Sequence, residues 1–238
     1  MKNAFSIRIM IMAGLALSSA EARAQTTPDA RTFFDLNGGV QVLSPTLDAG
    51  SSFLRFGETG AVRTTQNIGA GVLADARLGH RIGRRLAFAV AVSGFTAESA
   101  GQGTVSEPSP ILVASPTVVT VQSDLKRREI GYHPQIVWFV PWSETFDVSI
   151  YVGPSFVHIQ QNVITATVSP TQVVSVGTSN ESGMAFGGNA GIEATHPVSD
   201  RWGLGLFARY VFATADLPSA SGVRVGGLQI GGGLRFRF

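Results

Sequence analysis

From Phe34 to Phe238 the chain alternates apolar and polar side chains in runs of about ten residues, the period of an extended strand with two chemically different faces. One run sets Ile68, Val72, Ala74, Ala76 and Leu78 against Asn67, Gly71, Asp75, Arg77 and Gly79. The same split recurs at Phe34, Leu36, Val40 and Val42; at Leu86, Phe88, Val90 and Val92; at Ile130, Tyr132, Ile136 and Trp138; and at Phe146, Val148, Ile150, Val152 and Phe156. Three further runs carry Met184, Phe186, Ala190 and Ile192; Trp202, Leu204, Leu206, Ala208, Tyr210 and Phe212; and Leu228, Ile230, Leu234, Phe236 and Phe238. Eight strands are therefore predicted, with no segment of helical spacing among them.

The connections alternate in length. Short turns join the strands near 79–85, 141–144 and 197–200, whereas 44–66, 98–125, 160–182 and 213–222 are long. Short turns at one end and long loops at the other predict an all-β, closed, up-and-down antiparallel barrel with both chain ends on the short-turn side. Alternation alone leaves open which face is inside, because a soluble lipocalin-like barrel would bury the apolar set. The polar set favours the opposite orientation: it is mostly Gly, Ser, Asn and Ala with few charges, too bare for a water-facing exterior but suited to a narrow lumen.

Composition supports that orientation. Charged residues make up 14% of the chain, whereas soluble surfaces alone carry about 25–35%. There is no Cys, so disulfides, thiolate metal sites and lipoprotein acylation are excluded. The first 24 residues read as a signal peptide, with Lys2 and Arg8 ahead of the apolar run 9–17 and a small-x-small cleavage site at Ala22 and Ala24. That run is too short for a membrane helix, which needs about 20 apolar residues. The barrel domain then occupies 25–238. Removing Lys2, Arg8, Arg23 and Glu21 leaves equal numbers of basic and acidic residues, so the chain has no cationic surplus with which to bind nucleic acid.

Aromatic residues gather at the two ends of the strands, as rings do at the two interfaces of a bilayer. Trp138, Trp142 and Trp202 lie toward the short turns, and Tyr132, Tyr210 and Phe212 toward the long loops. The ending Gly231-Gly232-Gly233-Leu234-Arg235-Phe236-Arg237-Phe238, with its terminal Phe and the alternating Leu234 and Phe236, resembles the assembly signal of bacterial outer-membrane barrels. Over its whole length after the leader the chain resembles the small eight-stranded class that includes OmpX, OmpW and the barrel of OmpA. This resemblance implies residence in the bacterial outer membrane, contact with its lipid, and insertion by the barrel-assembly machinery. It implies no cell-wall tether, since the periplasmic domain of full-length OmpA has no counterpart here.

Eight strands enclose a space that side chains can fill, so a plug is expected rather than an open channel. The lumen charges are read as Asp35, Asp75, Arg77, Glu129, Glu193, Arg209, Arg235 and Arg237, with Asp147 near the short-turn end. Asp35 is expected to pair with Arg235 or Arg237 where the last strand meets the first. Arg209, Arg77, Asp75 and Glu193 are expected to form a second cluster.

No motif points to a cofactor. Gly69, Gly71 and Ala74 match a dinucleotide-binding string, but strand alternation runs straight through it where that site needs a helix. His80, His133, His158 and His196 have no metal-ligand spacing. A lipid A deacylase carries His-x-Ser on a strand, whereas Gln135 and Gln160 follow His133 and His158 here. A non-enzymatic structural, adhesion or envelope-integrity role is therefore expected, with loops 45–66, 98–125 and 160–182 as the contact surface for any extracellular partner. A narrow solute pore and a lipid A-modifying enzyme are the alternatives. The β-branched stretches around Ser115-Pro116-Thr117 and Ser169-Pro170-Thr171 are expected to form hairpins above the membrane, either as solvated extensions or as edges for strand addition.

Overall fold

The computed structural model describes residues 31–43, 45–110, 115–143 and 145–238. Residues 1–30, which include the segment expected to be a signal peptide, residues 111–114 of one β-branched stretch, and Ser44 and Glu144 lie outside the described residues. The strands are β1 (Thr32–Leu43), β2 (Thr46–Arg55), β3 (Glu58–Asn67), β4 (Gly71–Arg81), β5 (Leu86–Glu107), β6 (Thr117–Pro141), β7 (Asp147–Val168), β8 (Val174–Pro197), β9 (Trp202–Leu217) and β10 (Ala220–Arg237).

Eight of them hydrogen-bond in the cyclic order β5-β4-β1-β10-β9-β8-β7-β6, and β6 returns to β5. Every ladder in this ring is antiparallel. Closure matters physically because an open edge in hydrocarbon would leave backbone groups without partners. The closing seam joins β1 to β10 from Phe33↔Arg237 to Leu43↔Leu228, with Gly38 and Gly39 opposite Gly232 and Gly231. A Cβ at Gly39 would overlap the Ile230 carbonyl, and one at Gly231 would overlap that of Gly38, so bare backbones pack together here. At the foot of the seam the Phe238 amide donates to the Thr32 carbonyl at 2.8 Å.

The outer face carries the predicted apolar set, including Val72, Phe88, Ile150, Phe186, Leu206 and Phe212, all more than half exposed. In an aqueous protein so large a contiguous apolar surface would drive aggregation. Around a closed barrel it is the belt of a membrane-spanning wall. Ile68 is an exception: predicted outward, it is buried, because the alternation is interrupted at 68–70 and β4 begins only at Gly71.

The long connections are mostly wall rather than loop. β5, β6, β7 and β8 run for 22, 25, 22 and 24 residues, about twice what a bilayer crossing requires. The stretches expected as loops 98–125 and 160–182 thus continue the β5–β6 and β7–β8 ladders upward, as the hairpin reading anticipated. The stretch 213–222 is likewise strand, apart from a turn at 218–219. The segment expected as loop 45–66 is a third hairpin, β2–β3. Above the end of β4, β3 takes over β5, pairing Ala61–Gln66 with Ser106–Gly101. β2 reaches the β9–β10 turn through a Gly50 amide to Ser219 carbonyl bond of 2.8 Å.

Candidate functional site

Strand alternation sends Asp35, Asp75, Arg77, Glu129, Glu193, Arg209 and Arg235 into the lumen, and all are buried. Their grouping differs from the sequence expectation. Arg77 bridges Asp35 (2.6 Å) and Glu193 (2.5 Å), and Arg235 lies 2.6 Å from Glu193 but 3.7 Å from Asp35. Arg77 and Glu193 therefore belong with Asp35 and Arg235, while Arg209 pairs with Asp75 alone at 2.9 Å. Arg237 is not a lumen partner of Asp35; it is part-exposed at the short-turn rim and pairs with Asp147. The reason is height: Arg235 is directly opposite Asp35 in the ladder and Arg237 one inward step below.

Neutral amides complete this belt. Asn37 donates to Asp75 and accepts from Arg235, and Gln229 accepts from Arg209 while donating to Gln41. Beneath it, Phe33, Ala87, Ala89, Val137 and Tyr151, with Phe139, form an apolar floor. The Arg77 guanidinium stands over the Tyr151 ring at 4.9 Å and the Phe33 ring at 5.6 Å. Glu129 stands apart from both groups, bound by Arg127 at 2.6 Å. Arg127 was missed by the sequence reading, although it precedes Glu129 by two residues and so shares its face.

Above the belt the lumen turns apolar, contrary to a polar lining throughout. Leu73, Phe95, Val157, Ile159, Phe207 and Val211 fill it with Leu47 and Ala49 of β2. A further cluster of Val62, Val105, Leu125 and Ile164 lies under the hairpins. These side chains are inward in parity, but at Val157, Phe207 and Val211 the adjacent outward residues Phe156, Leu206, Tyr210 and Phe212 are apolar too, so the pattern there does not separate the two faces. The hairpin tip is latched: Arg55 pairs with Glu107 at 2.7 Å and donates through Nε to the Gln172 carbonyl, and the Phe56 amide donates to Gln172 Oε1.

His133, assigned no role from sequence, lies at the centre of a polar cluster. Its Nε2 is 2.9 Å from Ser93 Oγ and its Nδ1 2.8 Å from Ser155 Oγ. A serine beside a histidine is a nucleophile-base geometry, yet all three residues are buried. Their setting supplies a structural role. Direct β6–β7 pairing lapses between Tyr132↔Phe156 and Ile136↔Val152, where Pro134 and Pro154 carry no N–H. Asn189 Nδ2 donates to the Gly153 and Pro154 carbonyls and to Ser155 Oγ, and Gln135 donates to Asn189. Side chains thus stitch the wall where prolines interrupt its ladder. His80, His158 and His196 lie away from this cluster: His80 contacts Thr32, and His196 the Thr145 carbonyl and the Phe146 ring.

On the outside, Trp138, Trp142 and Trp202 stand exposed near the short turns, and Tyr132, Tyr210 and Phe212 toward the other end. Leu234 and Phe236 pair with Leu36 and Phe34 across the seam and with Leu204 and Trp202 of β9, and Phe238 ends the chain exposed.

No family model matches the chain, and no curated protein matches it. Among solved structures it is similar to Neisserial surface protein A, at 16% identity over 87% of this chain and 97% of that one, with a TM-score of 0.41. It is similar also to the outer membrane protein OprG from Pseudomonas aeruginosa (12% identity, 88% and 96% covered, TM-score 0.42). A third is Ail, the attachment invasion locus protein of Yersinia pestis (11%, 87% and 99%, 0.37). These are likenesses of fold; the eight-stranded closure stands on the ladders described above.

Proposed function

We propose that the chain is a bacterial outer-membrane barrel that works without catalysis, as a rigid surface-exposed contact element. The observation that carries this reading is the contrast between a lumen packed at every level and wall strands that continue far above the apolar belt. A filled eight-stranded cylinder conducts poorly, so its free surface must do the work. One edge of the extracellular sheet without a ladder partner is on β6: the β6–β7 ladder stops at Arg127↔Gln161, and Thr117–Lys126 continues above it with its other edge on β5. Thr117 to Thr120 are exposed, Val118 by 61%. A β-branched strand edge of this kind takes up a partner strand through main-chain hydrogen bonds.

The test is adhesion of bacteria displaying the full chain, compared with a variant whose β5–β6 tip (102–122) is replaced by a short turn. Loss of binding with normal heat-modifiable folding is the expected result. Unchanged binding would remove the contact role from this edge. Altered lipid A on overexpression, read by mass spectrometry, would overturn the non-enzymatic reading.

A further inference from the structure

Above Leu43↔Leu228 β1 parts from β10, and the β10 edge continues beside Pro45, which has no N–H to offer it. The backbone turns irregular here, with Gly226 at φ 92°, and Gln41 Nε2 donates to the Gly226 carbonyl at 3.0 Å. A groove of about 530 Å3 lies at this break, lined by Pro45 and by parts of β8, β9 and β10. That volume is in the range of small-ligand sites, about 300–1,000 Å3.

Its lining is amphipathic. Phe186, Tyr210 and Phe212, each at least half exposed, supply apolar walls at the level of the upper aromatic rank. Gly187 and Gly226 leave backbone bare between them. Arg224 is the only charged residue in the lining, and it forms no ion pair among the described residues. It stands opposite Thr214, two residues beyond the Gly226↔Phe212 pair, toward the extracellular end. An apolar trough ending in one unpaired cation matches a molecule with a hydrocarbon tail and an anionic head.

Building on the membrane-spanning reading, we propose that this groove holds one membrane lipid, its acyl chain along Phe186, Tyr210 and Phe212 and its phosphate at Arg224. The chain in a bilayer always has such lipid within reach, and the arginine supplies the preference for negative headgroups.

The test uses the full chain folded in detergent, with folding verified by heat-modifiable migration, titrated with phosphatidylglycerol or phosphatidylcholine and read by native mass spectrometry. One retained phosphatidylglycerol is expected, favoured over phosphatidylcholine by about fivefold, the effect of one cationic side chain near an anionic headgroup. Arg224→Gln should abolish that preference, and Thr214→Trp, which fills the groove from its lining, should remove the retained lipid. Arg128→Gln, on the outer face of β6, should change neither. Equal retention of the two lipids, or a preference that survives Arg224→Gln, overturns the proposal while the barrel stands. Displacement of the lipid by inorganic phosphate alone overturns the tail site. A chain that stays monodisperse without detergent overturns the membrane reading and the groove together.

Discussion

Arg77 touches two buried carboxylates and two aromatic rings, so its removal takes a cation from both Asp35 and Glu193. Breaking a buried ion pair by deleting one side typically costs about 3–5 kcal/mol. Arg77→Met is expected to lower stability by about that amount in urea unfolding from vesicles. A double-mutant cycle on Arg77 and Glu193, 2.5 Å apart, should show larger coupling than one on Asp35 and Arg235 at 3.7 Å. Asn189→Ala should cost about 1–3 kcal/mol, since it leaves carbonyls in the wall without a donor. The inward position of these charges is legible from parity within a single strand. Their partners are not: Glu193 on β8 meets Arg77 on β4 because both reach across the cylinder at one height, a distance set by stagger between strands that no local window contains. His133 was illegible for a related reason, since its serines come from β5 and β7.

At the scale of elements, the strands that cross the membrane announced themselves and the β2–β3 hairpin did not. β2 reads Thr-Leu-Asp-Ala-Gly-Ser-Ser-Phe-Leu-Arg, rich in residues that favour turns, and it is held as strand by its ladder with β3 and by a bond to the β9–β10 turn. Its latch should be local in effect. Arg55→Ala removes an ion pair whose side chains are 20% exposed, worth at most about 1 kcal/mol. The expected result is faster protease cleavage near Phe56 and Gly57 with little change in global unfolding. Equal cleavage of the variant and the parent would show that the tip is held by its ladder alone.

For the whole molecule, the stacked filled layers of the lumen predict electrical silence. Planar bilayers holding the folded barrel should show no discrete ion steps, and excising the β2–β3 hairpin should not open it, because the charged belt and apolar floor remain below. Steady conductance in the parent chain would count against the packed lumen. The eight-stranded closure could be inferred from counting runs and connection lengths, and the hairpins above the membrane from their β-branched stretches, whereas the height at which the membrane-crossing wall gives way to them could not, because a strand continuing above the membrane obeys the same period as one within it.

The glycine seam bears on how the cylinder comes into being. Neighbouring ring strands join segments close in sequence, but β1 and β10 bring together the two ends of the domain, the most expensive loop to close. With no side chains interposed at Gly38 and Gly39 or at Gly231 and Gly232, the final strand can draw flush against the first like the lips of a cut tube. Bulk at Gly39 or Gly231 should therefore arrest biogenesis at the last step, yielding an unsealed ribbon that dissolves in cold SDS although its hairpins are intact.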